Sequence, residues 1–402
     1  MNPLIDVPTS PEVRLVLACL RSRYDPQADP GAIVEALRTP IDADHLLEVC
    51  RRHAVTPLVH SALEPHRARV PSHLAASLKT RAAEIRLDNL DVTGELVRLV
   101  DALNAVGIDV LPYKGPMAAE GLYGDLGLRE FVDLDLLVRP ADVARALRQL
   151  EARGYEALVP VTPQQLSFLL RSGHDRKMVR ADRYVTEIQW RIAGLAEGPP
   201  IGAAPLLHRA TTLKIGGREL PTLSSQDEAL ILSVHGALHL WGRLSWICDT
   251  AEMLRLLDDR VAAGVVRQAE RAGTRRAFLS GPALAAKVIG APLPSAIEKA
   301  VFSEAPALSS TLDELVVRLL GPAGPELPGA RDHLRLRMAL ADTRRRQVGV
   351  AVRAVTTPTI SDWHAVRLPS ILWFLYYPIR LGRLFMSYIA KDRQPGDWVR
   401  QK

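Results

Sequence analysis

Glu130-Phe131-Val132-Asp133-Leu134-Asp135-Leu136-Leu137-Val138 sets two carboxylates, each between apolar neighbours, in a run that reads as a β-strand over 131–138. Side chains on a strand alternate faces with a period of two. Asp133 and Asp135 therefore share one face, while Val132, Leu134 and Leu136 take the other, the core side. Paired carboxylates repel each other, and the arrangement makes chemical sense when a doubly charged cation lies between them. Close pairs of oxygen ligands suit Mg²⁺ with bound phosphates. Two acids on a solvated edge strand produce the same short pattern, so its weight depends on its surroundings.

Upstream, Ile108-Asp109-Val110-Leu111-Pro112-Tyr113-Lys114-Gly115-Pro116 reads as a short buried strand ending at Lys114-Gly115. Gly115 permits a tight turn and Pro116 suits the first position of a helix, expected over 116–123. A helix N-terminus just past a glycine turn cradles phosphate, and Lys114 adds a mobile positive charge beside it. Downstream, Tyr184-Val185-Thr186-Glu187-Ile188-Gln189-Trp190 alternates again and offers Glu187 as a third acid. Between these runs the spacing predicts a helix over 141–153, a strand over 155–160, a helix over 163–171 and a hairpin over 174–190.

The ordered set Lys114-Gly115, Tyr123, Asp125, Gly127, Arg129, Asp133-Leu134-Asp135, Gly154-Tyr155 and Glu187-Ile188-Gln189-Trp190 resembles the uncharacterised nucleotidyltransferases of the polymerase-β-like superfamily. A second block, His235-Gly236-Ala237-Leu238-His239 with Trp241, Arg243, Trp246 and Asp249, resembles the helical segment that follows the core in that family. The resemblance implies an α+β fold: a polymerase-β-like nucleotidyltransferase core, a small mixed sheet with flanking helices, between helical N- and C-terminal modules. It implies an enzyme in which Asp133, Asp135 and Glu187 are the catalytic and metal-holding acids. Two Mg²⁺ ions are expected, with Mn²⁺ the alternative. Lys114, Gly115 and Arg129 are the residues expected to meet the nucleotide phosphates, with His235 and His239 nearby. The chain departs from the pattern at two places. Lys114-Gly115 replaces the superfamily's usual Gly-Ser turn, and Gln189 stands where the subfamily often has His, so no proton is shuttled there.

The two histidines are four apart and share a helix face. They form half of a zinc pattern, but position 236 is Gly and the H-E-x-x-H form is absent, which favours histidines facing the nucleotide cleft over metal ligands. Ser225 with Glu228 fits a capping box for that helix. Trp241, Arg243, Trp246 and Asp249 are expected on the same helix pair, with an Arg–Asp interaction as their structural role.

At 402 residues, 48% hydrophobic and 24% charged, the chain can bury a large core. The expected modules are helical over 1–105, catalytic over 106–200 and helical over 201–402. Pro57, Pro65 and Pro71 divide the first into several helices. Pro199, Pro200 and Pro205 mark the second boundary, and Gly321-Pro322-Ala323-Gly324-Pro325 interrupts the last module. The net charge of +6 favours anionic partners, an NTP among them. No Lys/Arg block is long enough to read as a nucleic-acid patch. Cys19, Cys50 and Cys248 are isolated, which supports neither disulfides nor a zinc site and fits a reducing compartment, the cytoplasm. Met1 to Ser10 lacks a secretory pattern. The apolar run over 368–379 is short of a membrane span. With Arg380 and Arg383 behind it, that stretch (368–385) is read chiefly as a helix packed on the body, and secondarily as a membrane-surface contact.

The acceptor is not legible in these residues; a small molecule, a sugar phosphate, a peptide or a protein hydroxyl all fit the reaction class. Two other readings compete. One is a non-catalytic nucleotide-binding module, against which all three acids are intact. The other is an RNA-directed or toxin-like nucleotidyltransferase, for which the chain offers positive charge but no basic or stacking cluster.

Overall fold

Proline and capping residues cut the first hundred residues into helices. α1 (Pro11–Tyr24) is capped by Ser10, whose Oγ accepts from Val13 N. α2 (Ala32–Ala36), α3 (Ala43–His53) and α4 (Thr56–Leu63) follow, the last with Pro57 in its first turn. Pro71 precedes α5 (Ser72–Asn104), whose 33 residues make a rod about 50 Å long. Leu74 and Leu78 near its start join one hydrophobic core. Leu96, Leu99, Val100 and Leu103 near its end join another, beneath the sheet. The computed structural model describes residues 7–181, 183–192, 201–321, 329–358, 362, 365, 366, 368 and 370–390.

The sheet is built from β1 (Val110–Tyr113), β2 (Asp133–Val138), β3 (Glu156–Ala157), β4 (Asp175–Arg180) and β5 (Tyr184–Gln189), with α6 (Gly115–Ala118), α7 (Val143–Glu151) and α8 (Pro163–Ser172) in the connections. Its order is β1-β2-β5-β4-β3. β2 and β5 run parallel, and the other neighbours are antiparallel. Leu134, Leu136, Val138 and Ile188 point into the core shared with α5 and α7. On the opposite face Leu111, Tyr113 and Leu137 pack with Ile192, Leu206, Leu223 and Ile231.

Three expectations are corrected here. The acidic strand starts at Asp133, not 131, and Val132 is 75% exposed where Leu134 is 1% exposed. The cause is the preceding loop: Asn89 Nδ2 donates to the carbonyls of Leu126 and Arg129 at 2.6 and 2.8 Å, so the chain joins the sheet only after that anchor. The helix expected over 116–123 leaves α-geometry after Ala118 and continues as a π-turn through Tyr123. The strand expected over 155–160 pairs only at Glu156 and Ala157.

Beyond the sheet come β6 (Arg191–Ile192), β7 (Ile201–Gly202), α9 (Ala203–His208) and the hairpin β8 (Thr211–Ile215)–β9 (Arg218–Thr222). Then follow α10 (Ser225–Leu238), α11 (Leu244–Leu256), α12 (Asp259–Ala272), α13 (Arg275–Ile289), α14 (Ser295–Leu320), α15 (Ala330–Ala339), α16 (Arg344–Thr356) and α17 (Tyr376–Ala390). Pro205 lies inside α9, while Pro199, Pro200, Met1–Asp6 and residues 322–325 fall outside the described residues. The cap of α10 is Ser224, one residue earlier than expected, with extended backbone and Oγ accepting from Asp227 N. Residues of α1, α3 and α4 share a single core with α10–α15. The architecture is α+β, a small five-stranded mixed sheet flanked by helices.

Candidate active site

The strand register brings the acids together. β2 beside β5 sets Asp135 opposite Glu187, and β1 beside β2 sets Tyr113 opposite Asp135. Asp135 is 3% exposed; Asp133, at the strand's start, is half-buried. Gln189 stands between the two inner acids. Its Nε2 donates to Asp135 Oδ1 at 2.5 Å and to Glu187 Oε2 at 2.9 Å, while its carbonyl accepts from the Tyr113 hydroxyl. Both amide hydrogens are thereby used, and the orientation of the amide is fixed.

Two lysines complete the face. Lys114 Nζ lies 3.4 Å from Asp135 Oδ1, and Lys177, placed opposite Glu187 by the β4–β5 hairpin, lies 2.6 Å from Glu187 Oε1. Burial pushes the Asp135 carboxyl up to about 7, with Asp133 and Glu187 adding to the rise and Lys114 opposing it. Burial also pushes Glu187 up, but the hydrogen bond and charge of Lys177, with Lys114 and Gln189, more than offset it, and its carboxyl lies below the usual range. Asp175, paired across the hairpin with Gln189, is a further acid whose carboxyl burial raises.

Lys114 has φ 53° and Gly115 φ +39°. A non-glycine residue held in the left-handed region costs roughly 1–3 kcal/mol, and such strain collects at functional sites. A Cβ on Gly115 would stand 3.0 Å from the Asp133 carbonyl, so the turn passes directly over the start of the acidic strand.

Arg129 is placed differently from the expected phosphate contact. Its Nε and Nη2 donate to both carboxylate oxygens of Asp249 at 2.9–3.1 Å, and Tyr123 OH donates to Asp249 Oδ1 at 2.8 Å. The Arg–Asp pair expected within the second block therefore reaches back to Arg129 instead of using Arg243. Burial works against the Arg129 charge, but Asp249 outweighs it and raises the guanidinium's pKa. Nη1 still reaches the Gly115 carbonyl at 3.5 Å, which ties this clamp to the turn. Asp125 closes the same loop, accepting from Gly127 N at 2.8 Å and pairing with Arg86 at 3.1 Å.

His235 and His239 stand with their ring centroids 4.5 Å apart, 5.6 and 5.3 Å from that of Trp246, and Arg243 lies over the Trp246 ring at 5.8 Å. Helical spacing puts Ile231, His235 and His239 on one face of α10, and Ile231 packs in the cluster containing Tyr113 and Leu137. Trp246 and Asp249 are likewise one turn apart on α11. Trp241 lies in the turn between the two helices, with φ 53°, fully buried, its Nε1 donating to Ser280 Oγ at 2.9 Å. A Cβ on Gly236 would meet its ring at 2.4 Å, which explains the glycine between the histidines.

Sequence reasoning missed Lys177, Asp175 and Tyr113. The alternation Asp175-Arg176-Lys177 carries a partial signal, since Asp175 and Lys177 must share a face while Arg176 is buried, but their partners depend on hairpin register. Among the described residues, no group of three or more His, Cys, Asp or Glu side chains is gathered as a metal cage in this conformation. The chemistry of the donor set nevertheless fits Mg²⁺. The oxygens are hard carboxylates, and burial, with the charges of Asp133 and Glu187 adding to it, disfavours the ionised form of Asp135, which a bound cation would stabilise.

A small mixed sheet bearing acids on adjacent parallel strands, with a lysine–glycine turn above them, is the core of a nucleotidyltransferase. Residues 39–290 match the family described as uncharacterised nucleotidyltransferase, and the chain belongs to it, as the resemblance implied. Among solved structures the chain is similar to the lincosamide antibiotic adenylyltransferase LnuA in its lincomycin-bound form, at 15% identity over 40% of this chain and 94% of that one, TM-score 0.30. It is also similar to an antigenic nucleotidyltransferase-like protein from Paracoccidioides brasiliensis, at 16% identity over 51% and 95% of the two chains, TM-score 0.28. No curated protein matches the chain.

Proposed function

We propose that the protein moves an NMP group from an NTP to a hydroxyl or phosphate of a small-molecule, peptide or protein acceptor, with Mg²⁺ dependence and release of pyrophosphate. The observation that carries this reading is the β2–β5 register, which sets Asp135 opposite Glu187 beside the strained Lys114-Gly115 turn. Asp133, Asp135 and Glu187 would hold the metal, which when bound supplies charge neutralisation at the triphosphate and acidifies the attacking hydroxyl. Lys114 and the Gly115 backbone neutralise and position phosphate oxygens, where preorganised positive charge lowers the barrier to an in-line displacement. Glu187 accepts the acceptor's proton, or holds the water that does, since Lys177 and Gln189 keep it ionised. Gln189 carries no proton of its own to this step; it fixes both carboxylates. Arg129 positions the turn through the Gly115 carbonyl, and His235 and His239 flank the nucleotide from α10.

The test is incubation of the purified protein with each labelled NTP and Mg²⁺, with and without cell extract, following pyrophosphate release and label transfer. Release and transfer are expected with wild type and not with Asp133→Asn. Equal turnover by the two proteins removes the acids from the chemistry.

A further inference from the structure

The positive charge of this chain is concentrated at one end. Residues 1–329 carry 37 Lys/Arg against 40 Asp/Glu, while residues 330–402 carry 14 against 5. Exposed apolar side chains collect in the same region. Among the described residues sixteen large hydrophobic side chains are exposed, and eight of them lie between Val348 and Met386, a tenth of the chain. On α16, Val348, Val352 and Val355 recur at spacings of four and three and are 59%, 48% and 38% exposed, a stripe along one helix face. Arg344 and Arg345, also exposed, extend that face one turn towards the N-terminus. Tyr377 and Leu381 on α17 are each 46% exposed, and Phe374, 63% exposed, lies in the 3-10 turn (Ser370–Leu375) just before it.

The two helices that carry these side chains are joined to each other. Arg380 of α17 donates through Nη2 to the Ala354 carbonyl of α16 at 2.6 Å. Asp362, between the helices, accepts from Arg380 at 3.2 Å and from Arg383 at 2.5 Å. Neither α16 nor α17 contains an Asp or a Glu.

We propose that these two helices form a surface that docks the protein on an anionic bilayer, with α16 and α17 lying in the headgroup plane. The exposed apolar side chains would enter the acyl boundary and the arginines would meet lipid phosphates. Helices with an aliphatic and aromatic face, flanking arginines and no carboxylates have the chemistry of interfacial binding. No described helix is long and apolar enough to cross a membrane. A nucleic acid explains the charge but has no use for three exposed valines in a row. A second copy explains the valines but would bring two strongly basic faces together. The inference rests on this surface alone and stands whether or not the proposed transfer is correct.

The experiment is co-sedimentation of the full-length protein with vesicles of phosphatidylcholine alone and of phosphatidylcholine mixed with phosphatidylglycerol. Binding is expected to the mixed vesicles, weaker in high salt, and reduced by about tenfold or more in Val352→Glu and in Leu381→Glu. Arg344→Gln with Arg345→Gln should reduce binding to the mixed vesicles alone. Both apolar positions are exposed, so melting temperature should not change; Phe374→Ser provides a second variant should either glutamate variant fail to fold. Wild-type protein that ignores both vesicles, or variants that bind as wild type does, overturns the proposal. So does a wild-type dimer in light scattering that Val352→Glu converts to monomer, which would assign the surface to self-association. Oligonucleotide binding that competes with vesicles and is indifferent to Val352→Glu would assign it to nucleic acid.

Discussion

Two buried arginine- or lysine-to-aspartate pairs lie on either side of Gly115, and they are built to opposite specifications. In the clamp, Arg129 meets Asp249 through a bidentate fork, Tyr123 adds a third donor, and the partners are 11% and 2% exposed at the side chain. Nε and Nη2 of the guanidinium and the Tyr123 hydroxyl each have an Asp249 oxygen within 3.1 Å. In the acidic face, Lys114 stands 3.4 Å from Asp135 while Lys177 is taken up by Glu187 at 2.6 Å, and burial has pushed the Asp135 carboxyl up to about 7. A satisfied ion pair holds two helices and a loop in place, whereas an unsatisfied one retains affinity for a further cation. The first has the form of a structural pair, and the second fits the role proposed for it above.

Breaking the clamp should have the largest effect. Asp249→Ala leaves a guanidinium buried without its carboxylate and Tyr123 without its acceptor, and should cost about 3–5 kcal/mol of stability in a denaturant titration. A loss under about 1 kcal/mol would mean that water already serves that carboxylate. Asp135→Asn should do the reverse. Transfer should fall by at least about a thousandfold, roughly 4 kcal/mol of barrier, while the melting temperature in chelator stays level or rises. Because the folded carboxyl titrates near 7 instead of the usual 3.8, the folded state binds the proton more tightly. The wild type therefore loses stability as pH rises through that window, and the advantage of the Asn variant should grow between those values. A constant difference across pH would contradict the assignment.

His53 has the opposite sign. It is 1% exposed, its Nδ1 accepts from Leu244 N at 3.4 Å, and burial, with Arg52 and Arg243, pushes it down to about 4. The unfolded chain takes up that proton near 6.5, so stability is lost as pH falls from 6.5 towards 4, by about 3 kcal/mol at most. His53→Gln, which keeps an acceptor and removes the titration, should flatten that part of the acid limb of a melting-temperature profile. The smallest effect is expected at Tyr113→Phe. Losing the donor to the Gln189 carbonyl releases one hydrogen bond, worth about 1 kcal/mol, and should reduce turnover several-fold with little change in NTP affinity measured by calorimetry.

These contrasts also mark what the sequence can reveal. Asp133, Asp135 and Leu134 were legible because strand periodicity is local, and so was the Lys114-Gly115 turn, since a glycine before proline leaves few alternatives. Val132 misled because the Asn89 anchor that delays the strand's start lies about forty residues away in the chain. Lys177 against Glu187 depends on the exact register of a hairpin, which the alternation of β4 does not decide. The clamp joins positions 120 residues apart, beyond any spacing rule. Asp249 was visible as a motif residue, but its partner was not. The cap of α10 slipped by one because Ser224 and Ser225 are both competent caps, and only backbone geometry chooses between them.

The shared core of the first and last helices also bears on the order in which the chain can fold. Arg21 donates to the Val288 carbonyl and Arg23 pairs with Glu252, while Leu15, Val16 and Leu20 of α1 bury themselves in the same cluster as residues from 229 to 340. On a ribosome, α1 emerges long before the surfaces that cover it exist. Contacts of such long sequence separation form late, so the helical core closes only after α10–α14 have been delivered. Limited proteolysis of chains terminated before residue 229 should accordingly cut within α1 at sites that are protected in the finished protein.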